Sequence, residues 1–179
     1  LITKYFNILG CVILLSVMVY MDFFKELLIR NEAYWVALSI VPFILLANLC
    51  LGIYFNLAIW YKLTDKTRYG MYLSIVGAIV TISLNITLIP KFGFIAAAWT
   101  TLVAYGIMMI LSYLLGQKHY PVPYNLKKIL SYLGLSIVLS IIALNTGSNY
   151  YINTSIVFLF LGIVFLLEKK EFKQLLKSS

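Results

Sequence analysis

The chain has 179 residues, a length that a single soluble domain could fill. Its composition excludes that: 63% of residues are hydrophobic and 11% charged, against about 45–50% and about 25% in soluble domains. Twenty charged residues cannot cover a polar surface, so the solvent must be lipid. The net charge of +8 does not point to nucleic acid, because the basic residues sit in short gaps between apolar runs.

The expected fold is all-α and integral to the membrane, with six transmembrane helices. A helix crossing the hydrocarbon core needs about 20 mostly apolar residues. The first run, Tyr5–Met21, is uncharged and slightly short. The second, Ala33–Tyr61, is long enough to tilt. Tyr69–Ile89 and Phe92–Leu115 follow. Ile129–Leu167 is too long for one span, and the polar insert at 145–149 divides it into Ile129–Leu144 and Tyr151–Leu167. The segment from Glu168 to Lys177 reads as a short amphipathic helix on the membrane surface. Transmembrane strands would show shorter, alternating segments. Cys11 and Cys50 lie inside apolar runs with no CxxC or Cys/His spacing, and read as small buried hydrophobes.

Counting Lys and Arg in alternate gaps places 11 on one side and 3 on the other. The larger set includes Lys62, Lys66 and Arg68, then Lys118, Lys127 and Lys128; the smaller is Lys25, Arg30 and Lys91. Basic loops stay inside, so both termini are expected in the cytoplasm. Tyr34, Trp35, Trp60, Tyr61, Tyr69, Tyr72, Tyr150 and Tyr151 fall at span ends, where amphipathic rings settle.

None of these six spans contains Asp, Glu, Lys, Arg or His. The six acids lie in gaps or in the tail, and the single histidine, His119, reads as a solvated residue of the loop after the fourth span. There is no phosphate-cradling glycine loop and no carboxylate pair. Catalysis, a metal site and a cofactor are therefore not expected. What remains are stripes of small and polar residues: Asn48, Gly52 and Asn56; Ser74, Gly77, Ala78, Thr81 and Asn85; Gly93, Ala97, Thr101 and Ala104. Such stripes pack helices in lipid; lining a polar cavity is the functional alternative, and amides and hydroxyls suit sugars better than ions. Pro42, within the second span, removes a backbone hydrogen bond and can kink it.

The most specific pattern lies between the third and fourth spans. Asn85 is followed by Leu88-Ile89-Pro90, Lys91, then Gly93-Phe94-Ile95-Ala96-Ala97-Ala98. Pro90 is expected to end one helix, Gly93 to permit a tight reversal, and Ala96 and Ala97 to let the next helix approach closely.

This hairpin resembles the C-terminal domain of bacterial polysaccharide biosynthesis proteins, the lipid-linked oligosaccharide flippases of the multidrug/oligosaccharidyl-lipid/polysaccharide exporter superfamily. Their pattern has a second glycine where this chain has Ala96. Asn31-Glu32-Ala33-Tyr34 with Pro42, and the stretch from Ile53 to Thr67, are similar too. The resemblance covers about Asp22 to Lys128. It implies the last six helices of a twelve- to fourteen-helix, two-lobe transporter. Residues 1–128 would be four spans of the second lobe, 129–167 a terminal pair and 168–179 a cytoplasmic tail. The chain's opening at Leu1 fits that reading as a fragment. The implied activity is transfer of an undecaprenyl-diphosphate-linked oligosaccharide across a bacterial cytoplasmic membrane by alternating access. The implied partners are membrane lipids, that glycolipid and the preceding helices of the same protein. Asn48, Asn56 and Asn85 are the candidate substrate-binding residues. A cation-coupled multidrug extruder and a membrane glycan polymerase or ligase are the competing expectations. The first often needs an intramembrane carboxylate, and the second a long outer loop with Arg and His.

Overall fold

The computed structural model describes the backbone of residues 2–29, 31–122, 124–146 and 150–178; among the described residues there is no strand. Five helical stretches are long and apolar enough to cross a bilayer: Tyr34–Leu63, Arg68–Phe92, Phe94–His119, Leu126–Leu144 and Tyr151–Lys169. This is a multi-pass membrane protein by helix length and hydropathy.

The first expected span behaves differently. Helix α1 (Ile2–Val19) stops short of Met21 and turns by 69° into α2 (Met21–Leu28), and only the bent pair together would make a sixth span. The reason is local: Met21–Leu28 brings in Asp22, Lys25 and Glu26, and Asp22 pairs with Lys25 at 3.6 Å. No residue of α2 is buried, while Phe23, Phe24, Leu27 and Leu28 are exposed. A short, strongly two-sided helix of this kind suits the interface rather than the hydrocarbon core.

The second span is composite. A 3-10 helix (Glu32–Ile40) leads into α3 (Val41–Leu57), and α4 (Ile59–Leu63) follows after a break at Ala58. Pro42 is in the first turn of α3, where the missing N–H costs nothing. It thus marks the change from 3-10 to α geometry rather than a kink inside a helix. Helices α5 (Arg68–Phe92), α6 (Phe94–His119), α7 (Leu126–Thr146) and α8 (Tyr150–Ser178) complete the chain. The expected turn at 145–149 falls partly on residues 147–149, which lie outside the described set. Helix α8 continues unbroken through the segment 168–178, where a short amphipathic surface helix was expected.

Contacts divide the chain into two compact units, Leu1–Phe6 with Asn31–Asn125, and Asn7–Arg30 with Leu126–Ser179. Packing groups most of α1 with α7 and α8.

In the first unit α6 is the central helix, packed against α3 and against α5. Its buried face is Ala96, Thr100, Ala104, Met108, Ser112 and Gly116, every fourth residue, joined by Ala98. This corrects the expected stripe: Ala97 and Thr101 are only half-buried and Gly93 is exposed. Small residues admit bulky neighbours. Trp60 lies against Gly116, Met108 against Gly77, and Phe6 against Gly52. In the second unit, α1 buries Asn7, Cys11, Leu15 and Met18, α7 buries Tyr132, Ser136 and Leu139, and α8 buries Asn153, Ile156, Phe160 and Val164. Amide and hydroxyl groups join the three helices. The Asn7 Nδ2 donates to the Ile129 carbonyl at 3.2 Å, Asn153 Nδ2 to the Val19 carbonyl at 3.2 Å, and the Tyr20 and Thr154 hydroxyls meet at 2.8 Å. Such bonds are worth about 0.6–2 kcal/mol each in lipid.

Candidate functional site

The α5–α6 hairpin turns on one residue. Gly93 has φ +63 and ψ −146, and its N–H donates to the Ile89 carbonyl at 2.8 Å. Pro90 does not end α5, contrary to expectation, since the helix runs two residues further, to Phe92. Proline forfeits one bond, to the carbonyl of Ile86. Both residues are exposed and close to the helix end, so the loss is small and Gly93 performs the termination. Beyond the turn, Thr100 Oγ1 donates to Asn85 Oδ1 at 2.5 Å, a direct bond from α6 to α5. Ala96 and Ala98 are buried and Ala97 is half-buried.

The three candidate amides are thereby separated in role. Asn85 serves the α5–α6 contact. Asn48 is exposed and Asn56 half-buried on α3, and each donates to its own helix, to the carbonyls of Ile44 and Gly52 at 2.9 Å. Helices α3 and α5 both pack on α6 and have no comparable packing on each other, so the fold does not gather the three amides into one cluster. A groove of about 430 Å³ runs along the hairpin between Leu84, Leu88 and Phe92 on α5 and Ile95, Trp99 and Val103 on α6. Its walls are apolar. They offer contact to a hydrocarbon chain and nothing to a sugar hydroxyl.

At the other end of these helices lies an aromatic cluster that the sequence reading missed. His119 is the last residue of α6, half-buried, and not part of a solvated loop. Its ring stacks on Trp60 with centroids 5.3 Å apart and planes at 10°. Nδ1 is 2.9 Å from the Leu115 carbonyl and Nε2 is 3.0 Å from the Tyr69 hydroxyl. A carbonyl can only accept, so Nδ1 carries hydrogen and donates to Leu115. One side chain thus ties α4, α5 and α6 together. In the following loop, Tyr124 faces Tyr113 with ring centroids 6.2 Å apart. Burial, and then the neighbouring phenol, push the Tyr124 hydroxyl above the ordinary tyrosine range.

The second unit holds the chain's one fully buried carboxylate among the described residues. Glu168, expected at the start of an amphipathic surface helix, has no exposed surface and lies within the apolar stretch Tyr151–Lys169. Its Oε1 accepts from the Tyr132 hydroxyl at 2.6 Å and from the Lys128 ammonium at 3.2 Å. Asn153, Ile156, Phe160, Val164 and Glu168 form one stripe of α8 at spacings of three and four.

Among the described residues, no three His, Cys, Asp or Glu side chains come together as a metal site would require. No family model, no curated protein and no solved structure matches the chain.

Proposed function

We propose that this chain forms the C-terminal portion of a transporter that moves an undecaprenyl-diphosphate-linked oligosaccharide across a bacterial cytoplasmic membrane by alternating access. It would act with the preceding helices of the same protein and with both termini in the cytoplasm. It would carry out no bond chemistry. The single observation that supports the reading is the α5–α6 hairpin. Asn85 and Leu88-Ile89-Pro90 lead into a one-glycine reversal at Gly93, and small residues from Ala96 close the next helix onto the first. The multi-pass fold and the uneven distribution of basic residues are compatible with it.

Within this reading Asn85 positions α6, and Asn48 and Asn56 remain the candidates for meeting glycan hydroxyls, since both present side chains that are not fully buried. The test is surface display of the glycan in cells carrying the full-length gene. Deleting the gene should abolish display while the lipid-linked precursor accumulates. Replacing Asn48 and Asn56 together with Leu should lower display at least several-fold at unchanged protein level. Unaltered display after deletion would overturn the proposal, and unaltered display in the double variant would remove the two amides from it.

A further inference from the structure

The groove on the α5–α6 hairpin is short. It runs from Phe92 and Ile95, beside the Gly93 turn, to Leu84 and Val103, about 12 Å at the rise of an α-helix. The arms themselves are 25 and 26 residues long, so most of each lies outside the groove. A second transmembrane helix packed here would need a seam along most of an arm. A slot confined to the tip suits a single flexible chain. Its volume of about 430 Å³ falls among those of small-molecule sites. The walls are open, since Phe92 and Trp99 keep 64% and 47% of their surface exposed. Trp99 also packs against Phe43, with ring centroids 4.5 Å apart. The buried Thr100 gives its hydroxyl to Asn85 Oδ1 at 2.5 Å and has none to spare for a ligand. Whatever enters the groove is held through hydrocarbon. The mouth differs. Lys91 stands three residues beyond Leu88 and so shares its side of α5. It is exposed, and no acid among the described residues pairs with it. Lysine at a membrane boundary lays its stem on apolar surface and keeps its ammonium in the headgroup layer.

We propose that the groove holds one acyl chain of an anionic phospholipid, with the lipid phosphate against Lys91. An apolar slot with a cation at its open end is complementary to an amphiphile with a hydrocarbon tail and a negative head. The tail supplies contact with the walls. The charge supplies selectivity, because a zwitterionic lipid brings the same tail with no net charge for Lys91 to attract. A basic residue near the membrane surface favours anionic lipid by about five-fold. The inference does not depend on which substrate the protein moves.

The experiment reads tryptophan fluorescence of the full chain in phosphatidylcholine vesicles, with a small share of the lipid brominated on its acyl chains to quench nearby indoles. The quenching that disappears in Trp99→Phe is the part that belongs to the groove. At equal mole fraction, brominated phosphatidylglycerol should quench this part more than brominated phosphatidylcholine. Lys91→Gln should reduce that preference about five-fold. Val103→Phe, which fills the groove and keeps the charge, should abolish it. Both positions are exposed, so neither change disturbs the core. Equal quenching by the two lipids in the parent chain would overturn the proposal. So would a preference left unchanged by either variant. Failure of both lipids to quench Trp99 would mean that protein covers the groove, and would overturn the proposal as well.

Discussion

Gly93 adopts φ +63 with ψ −146, a combination essentially closed to residues with a side chain. Nothing lies within 4 Å of where a Cβ would project. Gly93→Ala is therefore a test of conformation alone, without a steric clash. It should cost about 1–3 kcal/mol, seen as a lower unfolding midpoint in detergent; an unchanged midpoint would mean the turn can be rebuilt in another conformation. Gly93 was legible in the sequence because a lone glycine between two apolar runs has few other uses. Pro90 misled because the rule that proline ends helices ignores how little is lost when the orphaned carbonyl is exposed near a terminus. Glu168 was illegible for a different reason. It stands where an uncharged run meets Glu168-Lys169-Lys170-Glu171, and its partners are on another helix, 36 and 40 residues away in sequence. Only tertiary packing separates a buried acid from a solvated one.

At the level of elements, the existence and order of the helices follow from apolar run length, and the structure keeps nearly all of them. The buried face of α6 did not follow. Gly93, Ala96, Ala97, Ala98, Thr100, Thr101 and Ala104 put small residues around most of the first turns, so small size alone does not select a face. The partners select it. Trp60 against Gly116 and Met108 against Gly77 fix α6 between α3–α4 and α5. The two glycines should respond unequally. A Cβ at Gly116 would meet the Trp60 ring at 3.1 Å, and that rigid ring is itself stacked on His119. A Cβ at Gly77 would meet the thioether of Met108, which is flexible and can move aside. Gly116→Ala should lower stability by about 1–3 kcal/mol through overpacking. Gly77→Ala should be near neutral, because the gain in helix propensity offsets the adjustment of Met108. Thermal unfolding of the two purified variants side by side checks the order, and an equal or reversed effect would mean that α6 does not pack as described.

For the whole molecule, the excess of apolar residues becomes helices that cross lipid, and the net charge of +8 becomes an unequal distribution of Lys and Arg between alternate connections. The α5–α6 hairpin joins these two facts, because it carries Lys91 at its tip while Lys66 and Lys118 stand at the far ends of its two arms. Arms of 25 and 26 residues are about 37–39 Å long, enough to cross a hydrocarbon core of about 30 Å. Each arm is therefore long enough to span by itself. The direct measurement is labelling of single cysteines at Lys66, Lys91 and Lys118 by a membrane-impermeant reagent in intact cells and in inverted vesicles, with Cys11 and Cys50 replaced by Ala. The position at Lys91 should react only from outside, and those at Lys66 and Lys118 only from inside. Reaction of all three from the same side would contradict a membrane-crossing hairpin, and with it the topology on which the proposed transport rests.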